Sequence, residues 1–176
     1  MSDSHNLIEL ISESDISAKV KKMGLEISSF YESESVVFVV ILNGAIIFAA
    51  DLFRAVSIVC KLDFVKVSSY KGTKSEGKIR FEKDLSLDIL GKNIILVEDI
   101  IDTGNTIKYL KKHMKRKNPK SIRIASLLMK SDSSDLLTKN DWFGFKISSE
   151  FVVGYGLDYN QEFRNLNAIY KLGEAI

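Results

Sequence analysis

The stretch Val97-Glu98-Asp99-Ile100-Ile101-Asp102-Thr103-Gly104-Asn105-Thr106 decides how this chain is read. It follows an apolar run, Asn93-Ile94-Ile95-Leu96, with the composition of a buried strand. It precedes Ile107 to Lys117, where Ile107, Leu110 and Met114 fall on one helical face. A strand thus hands over to a helix through a turn rich in Thr, Gly and Asn. Such a junction points backbone N–H groups outward, and the helix dipole adds partial positive charge, so it suits a phosphate. The small residues let the backbone approach a ligand closely. The hydroxyls of Thr103 and Thr106 can donate further hydrogen bonds.

The acids need a separate reason, because carboxylates repel phosphate. Glu98 and Asp99 are expected at the strand's end, where they can accept hydrogen bonds from sugar hydroxyls. Their hard oxygens can also hold Mg²⁺, directly or through its waters. Asp102 lies inside the turn, close to where a reacting group would sit. Acids for a diol beside a turn for a phosphate suit a ribose phosphate. The competing reading is a solvated acidic turn that caps a helix.

Working outward, Val36 to Leu42 is nearly all apolar and β-branched, as in a strand buried on both faces. Gly44 then opens an apolar helix over Ala45 to Ala55. Lys61 to Ser69 and Ser121 to Met129 read as further strands, and Phe151 to Tyr155 as a last short one. A turn carrying Asp141-Trp142-Phe143-Gly144 is expected before it. Ile16, Val20, Met23, Ile27 and Phe30 mark an amphipathic first helix. Tyr70 to Glu82 is polar, lacks an apolar period and is long for a plain connection, which suits a functional flap. Strands alternating with helices imply a parallel sheet covered on both faces. Ligands bind such sheets at the strands' carboxyl ends. Asn43, Ser69, Glu98 and Lys130 all fall at those ends.

The 176 residues suffice for one domain with a substantial core. Hydrophobic content of 45% and charged content of 27% are those of a soluble globular chain. A net charge of +2 gives no electrostatic case for nucleic acid, and the basic run around Lys111, Lys112, Lys115, Arg116 and Lys117 reads as a solvated helix face. Cys60, the only cysteine, excludes an internal disulfide and fits a reducing cytoplasm. It reads as core filler. No apolar stretch is long enough to span a bilayer, and the N-terminus has no signal-peptide core.

Five separated segments point the same way. Besides the acidic string they are Ile41-Leu42-Asn43-Gly44, Ser68-Ser69-Tyr70, Leu127-Leu128-Met129-Lys130, and Phe151-Val152-Val153-Gly154-Tyr155-Gly156-Leu157-Asp158-Tyr159-Asn160 with Glu162-Phe163-Arg164. In this order they resemble the motifs of the type I phosphoribosyltransferases, and the acidic string resembles the hypoxanthine-guanine branch in particular. The resemblance spans about Val36 to Asn167.

That resemblance implies an α/β fold, with a Rossmann-like parallel sheet flanked by helices, a small hood formed by terminal segments, and a mobile lid loop, all in a single domain over residues 1–176. It implies transfer of the 5-phosphoribosyl group from phosphoribosyl pyrophosphate to N9 of a 6-oxopurine, with Mg²⁺ required. Glu98 and Asp99 would hold the ribose hydroxyls and metal. Asp102, Thr103, Gly104, Asn105 and Thr106 would cradle the 5′-phosphate, with Asp102 also handling the N7 proton. Asn43, Gly44 and Arg164 would bind pyrophosphate. The family often has Lys or Arg where this chain has Asn43, and the loop's first peptide bond is often cis. Ser69 and Tyr70 would start the lid. Lys130 would donate to the 6-oxo oxygen, Phe151 would stack on the base, and Val152 would offer backbone groups. Asp158 would serve the base and a second Mg²⁺. The family forms dimers or tetramers. Two alternatives stay open: a nucleotide-sensing regulator on the same fold that binds RNA through the basic helix, and a pyrimidine-directed transferase.

Overall fold

The computed structural model describes residues 6–70, 78–131, 138 and 141–173. The elements in chain order are β1 (Leu7–Ile11), α1 (Glu13–Tyr31), β2 (Val36–Leu42), α2 (Ile46–Ala55), β3 (Cys60–Tyr70), β4 (Lys78–Lys83), β5 (Asn93–Ile101), α3 (Asn105–Lys115), β6 (Ser121–Lys130), β7 (Trp142–Ile147), β8 (Val152–Val153) and β9 (Ile169–Leu172). Six strands form the main sheet in the order β4-β3-β2-β5-β6-β7. Its members are parallel except β4, which runs antiparallel to β3. A second, three-stranded antiparallel sheet has the order β1-β9-β8 and forms the expected hood from terminal segments.

Alternation along β2 explains the two-sided core. Val36, Phe38 and Val40 face one apolar cluster with α1 and α2, built around Met23, Ile27, Phe48 and Leu52. Val37, Val39 and Ile41 face the other with α3, built around Ile107, Leu110 and Met114. A period of two that is apolar at every position needs cover on both faces. Helix α1 starts at Ser12, whose side chain accepts a hydrogen bond from the Asp15 N–H at 3.1 Å.

Four sequence expectations change. The seam of α1 closes on buried Tyr31, whereas Phe30 is 46% exposed and lies edge-on to Trp142. Trp142 to Ile147 is a strand and not a turn. Gly144 reads as turn punctuation, but a Cβ there would stand 2.4 Å from the Leu127 carbonyl oxygen, so it serves close strand approach. The segment Tyr70 to Glu82 is not wholly irregular. Ile79 and Phe81 are half-buried and Arg80 and Glu82 exposed, a strand's alternation, and Phe81 packs on the α3 cluster. Residues 71–77, the centre of the expected lid, lie outside the described residues. Finally, β5 runs on through Ile101 and α3 begins at Asn105, so the turn shrinks to Asp102–Gly104.

Asp63 anchors the β3–β4 arm. Its buried carboxylate accepts hydrogen bonds from the N–H groups of Phe64, Ser86 and Leu87, each at 2.8 Å, and lies 3.5 Å from Lys83 Nζ. Burial alone would raise its pKa. The N–H groups of Leu87, Phe64 and Ser86 and the Lys83 ammonium outweigh burial and hold it below the ordinary carboxylate value. A depressed folded pKa gives stability that is full above the unfolded value and lost as pH falls through the folded one. Asp63→Ala should cost about 1–3 kcal/mol at neutral pH, because buried donors lose their acceptor. The difference from wild type should shrink below about pH 4, near the free carboxylate pKa, as measured by urea unfolding across pH.

Candidate active site

Helix α2 carries the chain from β2 to β3, and α3 carries it from β5 to β6 on the other side. Connections that leave neighbouring strands in opposite directions open a crevice at their carboxyl ends. The strands also differ in length there. Val40 of β2 pairs with Val97 of β5, where their register stops, whereas Glu98, Ile100 and Ile101 continue the ladder with β6. The end of β5 therefore overhangs the crevice and presents its acids beside the loop that follows β2.

That loop is Asn43-Gly44-Ala45, entered through a cis Leu42–Asn43 peptide bond. Asp99 lies against Gly44 so closely that a Cβ on Gly44 would stand 1.7 Å from Asp99 Oδ2. Glu98 is buried, 8% exposed, with the Asp99 carboxyl as its neighbour. Burial first, and then the Asp99 charge, pushes Glu98 well above the ordinary carboxylate range. Burial raises Asp99 as well, against the opposing pull of the Glu98 carboxyl, the Ile100 N–H that donates to it, and the Arg164 charge. Two acids this close, in a site this dry, favour a shared proton or a cation. Their oxygens fit Mg²⁺, which binds through one or two carboxylates and fills its other positions with water and phosphate oxygens. Among the described residues no group of three or more acidic, His or Cys side chains gathers around a metal position.

Beyond the acids, Gly104 takes the left-handed conformation, φ 70°, and serves as the N-cap of α3. It has no side chain to cap the helix, and the first turn contains no acid. The start of α3, with Asn105 and Thr106, is thus left for an outside anion. Asp102 precedes it, exposed at the crevice rim. Lys130, at the end of β6, reaches across so that Nζ lies 3.2 Å from Asp102 Oδ1. The expected base reader and proton acceptor therefore meet.

The third wall comes from the segment after β8. Gly154, Tyr155 and Gly156 all have positive φ, at 98°, 48° and 101°. A Cβ on Gly156 would stand 2.2 Å from the Gly44 carbonyl oxygen, so this backbone packs directly on the first loop. Arg164 folds back over it. Its Nη1 donates to the Gly156 carbonyl at 2.7 Å, and its Nη2 lies 2.7 Å from Asp158 Oδ1 and donates to Gln161 Oε1 at 3.1 Å. Asp158 also accepts from the Gln161 N–H at 2.9 Å. Asp158 is thus paired with Arg164 rather than grouped with Glu98 and Asp99. Phe151 is 56% exposed and lies edge-on to Tyr159, ring centres 5.9 Å apart. Val152 is buried in the hood. Ser69 and Tyr70 end β3, in register with Ile79 and Lys78 of β4.

The phosphoribosyl transferase domain model matches residues 11–160. The chain belongs to this phosphoribosyltransferase family. It is 40% identical over 168 residues to the hypoxanthine-guanine phosphoribosyltransferase of Bacillus subtilis, covering 95% of this chain and 93% of that one. A crystal structure of a hypoxanthine-guanine phosphoribosyltransferase from Bacillus anthracis superposes with a TM-score of 0.88 at 39% identity, covering 94% and 98% of the two chains. A bifunctional protein TilS/HprT of Listeria innocua is 39% identical over 165 residues. There the match takes in 92% of this chain but spans about a quarter of the relative, 26% of its length.

Two residues escaped the sequence reading of this phosphoribosyltransferase site. Gly156 as the packing partner of Gly44 was signalled only by the Gly-Tyr-Gly spacing. Tyr159 as the neighbour of Phe151 had no signal of its own. Gly44→Ala should displace the Asp99 carboxylate, which occupies the space of the new Cβ. Overpacking of this kind costs about 1–3 kcal/mol. Thermal unfolding should show a lowered Tm, and calorimetry should show loss of phosphoribosyl pyrophosphate binding.

Proposed function

We infer that this chain is a hypoxanthine-guanine phosphoribosyltransferase. It is a purine salvage enzyme, a pentosyltransferase. It transfers the 5-phosphoribosyl group from phosphoribosyl pyrophosphate to N9 of hypoxanthine or guanine, giving IMP or GMP and pyrophosphate. The observation that carries the reading is the Lys130–Asp102 pair at 3.2 Å. A 6-oxopurine presents O6 and N7 side by side on one edge. An ammonium and a carboxylate at that spacing match a carbonyl oxygen and an N7–H, respectively.

In the ground state the two charges satisfy one another. When the base enters, Lys130 Nζ turns to donate to O6 and the Asp102 carboxylate accepts from N7–H. As N9 forms its bond to C1′ and the bond from C1′ to pyrophosphate breaks, positive charge grows on the purine. Asp102 relieves it by taking the N7 proton. The start of α3, from Thr103 to Thr106, holds the 5′-phosphate, and Glu98 and Asp99 accept from the ribose hydroxyls. The Asn43–Gly44 loop offers backbone N–H groups to pyrophosphate, and Arg164 adds positive charge nearby. Asn43 carries no charge, so this loop contributes through its backbone. Phe151 supplies an exposed ring for the base, and Val152 positions the backbone beside it. The segment beginning at Ser69 and Tyr70 closes over the reacting ribose and excludes water, which would capture its oxocarbenium-like carbon. Glu98, Asp99 or Asp158 would hold Mg²⁺, which would supply positive charge for the leaving pyrophosphate.

The reading places the enzyme in the cytoplasm as a single phosphoribosyltransferase domain. A free Cys60 thiol packed against the core suits that reducing compartment. Among the described residues no helix is long and apolar enough to cross a membrane. It also makes the enzyme a homodimer or homotetramer. Helix α2 leaves Ile46 and Ile47 exposed although its other face is already buried.

Incubation with phosphoribosyl pyrophosphate, Mg²⁺ and single nucleobases should yield IMP from hypoxanthine or GMP from guanine, and chelation of Mg²⁺ should stop turnover. Failure with both bases, together with nucleotide-dependent RNA binding, would establish the regulator instead. Asp102→Asn keeps the shape but removes the basic carboxylate, so kcat should fall by about 10²–10⁴ with little change in phosphoribosyl pyrophosphate affinity. Lys130→Met should lower kcat/KM for 6-oxopurines by about ten- to a hundredfold, the equivalent of one charged hydrogen bond. It should also narrow the gap to adenine, whose amino group opposes donor to donor. An unchanged hypoxanthine-to-adenine ratio would remove Lys130 from base reading.

A further inference from the structure

The loop from Gly154 to Arg164 forms a wall of the site, yet little regular structure holds it. Three consecutive residues, Gly154, Tyr155 and Gly156, are left-handed, and Asn160, Gln161 and Phe163 are too. Among the described residues its backbone hydrogen bonds run mostly within the segment and its return. Gly154 and Leu157 exchange bonds at 3.0 Å, the Tyr155 N–H donates to the Leu166 carbonyl at 2.7 Å, and the Gly156 N–H donates to the Arg164 carbonyl at 2.9 Å. Tyr155 differs. Its side chain is buried, and its hydroxyl leaves the loop to donate to Asp51 Oδ2 on α2. Asp51 is itself held by Arg54, one turn on.

Helix α2 is the element that continues directly from Gly44. The Tyr155–Asp51 bond therefore joins the two segments whose backbones touch at Gly44 and Gly156, through a second point of attachment. A cavity of about 200 Å³ lined by Asp51, Tyr155, Arg164, Leu166 and Ile47 lies behind the loop. Tyr155 and Leu157 also pack in the core cluster with α1 and α2, and the hydrogen bond adds a directional restraint to that non-directional packing.

We propose that Tyr155 and Asp51 are positioning residues that latch the Gly154–Arg164 loop to α2 and so set the shape of the pyrophosphate side of the site. Neither touches the reacting atoms. They act through Gly156, whose backbone sits on Gly44 and whose carbonyl holds Arg164. Lys130 and Asp102, which read the purine edge, stand at the ends of β6 and β5 and do not touch the latch, whereas Tyr159 links the loop to Phe151 on the base side. The proposal rests on the phosphoribosyl-transfer reading for its kinetic test.

The experiment compares wild type with Tyr155→Phe, Asp51→Ala, Asp51→Asn and the Tyr155→Phe/Asp51→Ala double variant. Steady-state kinetics give KM for phosphoribosyl pyrophosphate and for hypoxanthine, and hydrogen exchange gives the protection of residues 154–164. Tyr155→Phe and Asp51→Ala should each raise KM for phosphoribosyl pyrophosphate by about three- to thirtyfold, the range for one partly buried hydrogen bond. KM for hypoxanthine should rise clearly less, and exchange should speed up within the loop. Asp51→Asn retains an acceptor and should behave like wild type. The double variant should be no worse than either single one, because one bond is lost once. Variants that lose Tm yet keep the phosphoribosyl pyrophosphate KM and loop protection of wild type would overturn the latch. So would equal increases in both KM values. A wild type that forms no nucleotide would count against phosphoribosyl transfer, and the exchange measurement would then decide the latch by itself.

Discussion

Three chain segments converge on the Gly44 backbone. Asp99 Oδ2 approaches from β5, and Gly156 lies against the Gly44 carbonyl from the C-terminal loop, so the volume in which side chains would stand is filled. Everything else in the site is arranged around that contact. It brings the acids of β5, the loop after β2 and the Arg164–Asp158 pair within one crevice, although they are more than fifty residues apart in sequence. Glycine is required at both positions for different reasons. At Gly44 the space is occupied by a carboxylate, whereas Gly156 combines a close approach with a φ of 101°.

The sheet makes the convergence possible. Because β5 outruns β2, its last residues keep a ladder partner on β6 while losing the one on the other side. The acids thus sit on a rigid strand end and not on a loose turn. A rigid support suits groups that must hold an unfavourable arrangement. Glu98 is buried and Asp99 partly so, and burial raises both pKa values, a state that a flexible loop would relieve by swinging them into water.

The central strands and helices were legible in the sequence because their apolar patterns are long and unbroken. Val36 to Leu42 and the run beginning at Asn93 could only be buried, and the spacing of Ile107, Leu110 and Met114 left one face for α3. What stayed hidden depended on partners. The glycine in β7 looks like a turn until Leu127 is seen beside it. The alternation in β4 is short and carries strong charges. Strand β1 is an edge and β9 the centre of a small sheet, whose pairing joins opposite ends of the chain and leaves no local mark. Among the site residues, the acidic string, Gly44, Lys130 and Arg164 could be named from motifs. The pairing of Arg164 with Asp158, of Lys130 with Asp102, and of Gly156 with Gly44 required three dimensions.

Those pairings also say how a site crowded with charge remains stable without ligand. Lys130 and Asp102 satisfy each other at 3.2 Å, and Arg164 and Asp158 do so at 2.7 Å. An unpaired charge in a partly buried crevice would be costly, whereas a paired one is tolerated even if the pair itself adds little. Binding then becomes an exchange of partners. On the proposed reading a purine edge would meet an ammonium and a carboxylate that already stand at matching distance, and pyrophosphate would arrive where a guanidinium is already held. Each group stays anchored through the exchange, because Lys130 extends from the end of β6, so only its ammonium turns, and Arg164 is tied to the Gly156 carbonyl. Groups fixed in place before the reaction need little reorganisation when charge develops, which is the condition for electrostatic stabilisation of a charged transition state. The Glu98–Asp99 pair is the exception, with two like charges and a raised pKa on each. Its tension is resolved only by a proton, a sugar hydroxyl or a cation. The strongest unmet demand in the crevice therefore lies where a ribose carrying Mg²⁺-bound pyrophosphate would supply hydroxyls and cation together.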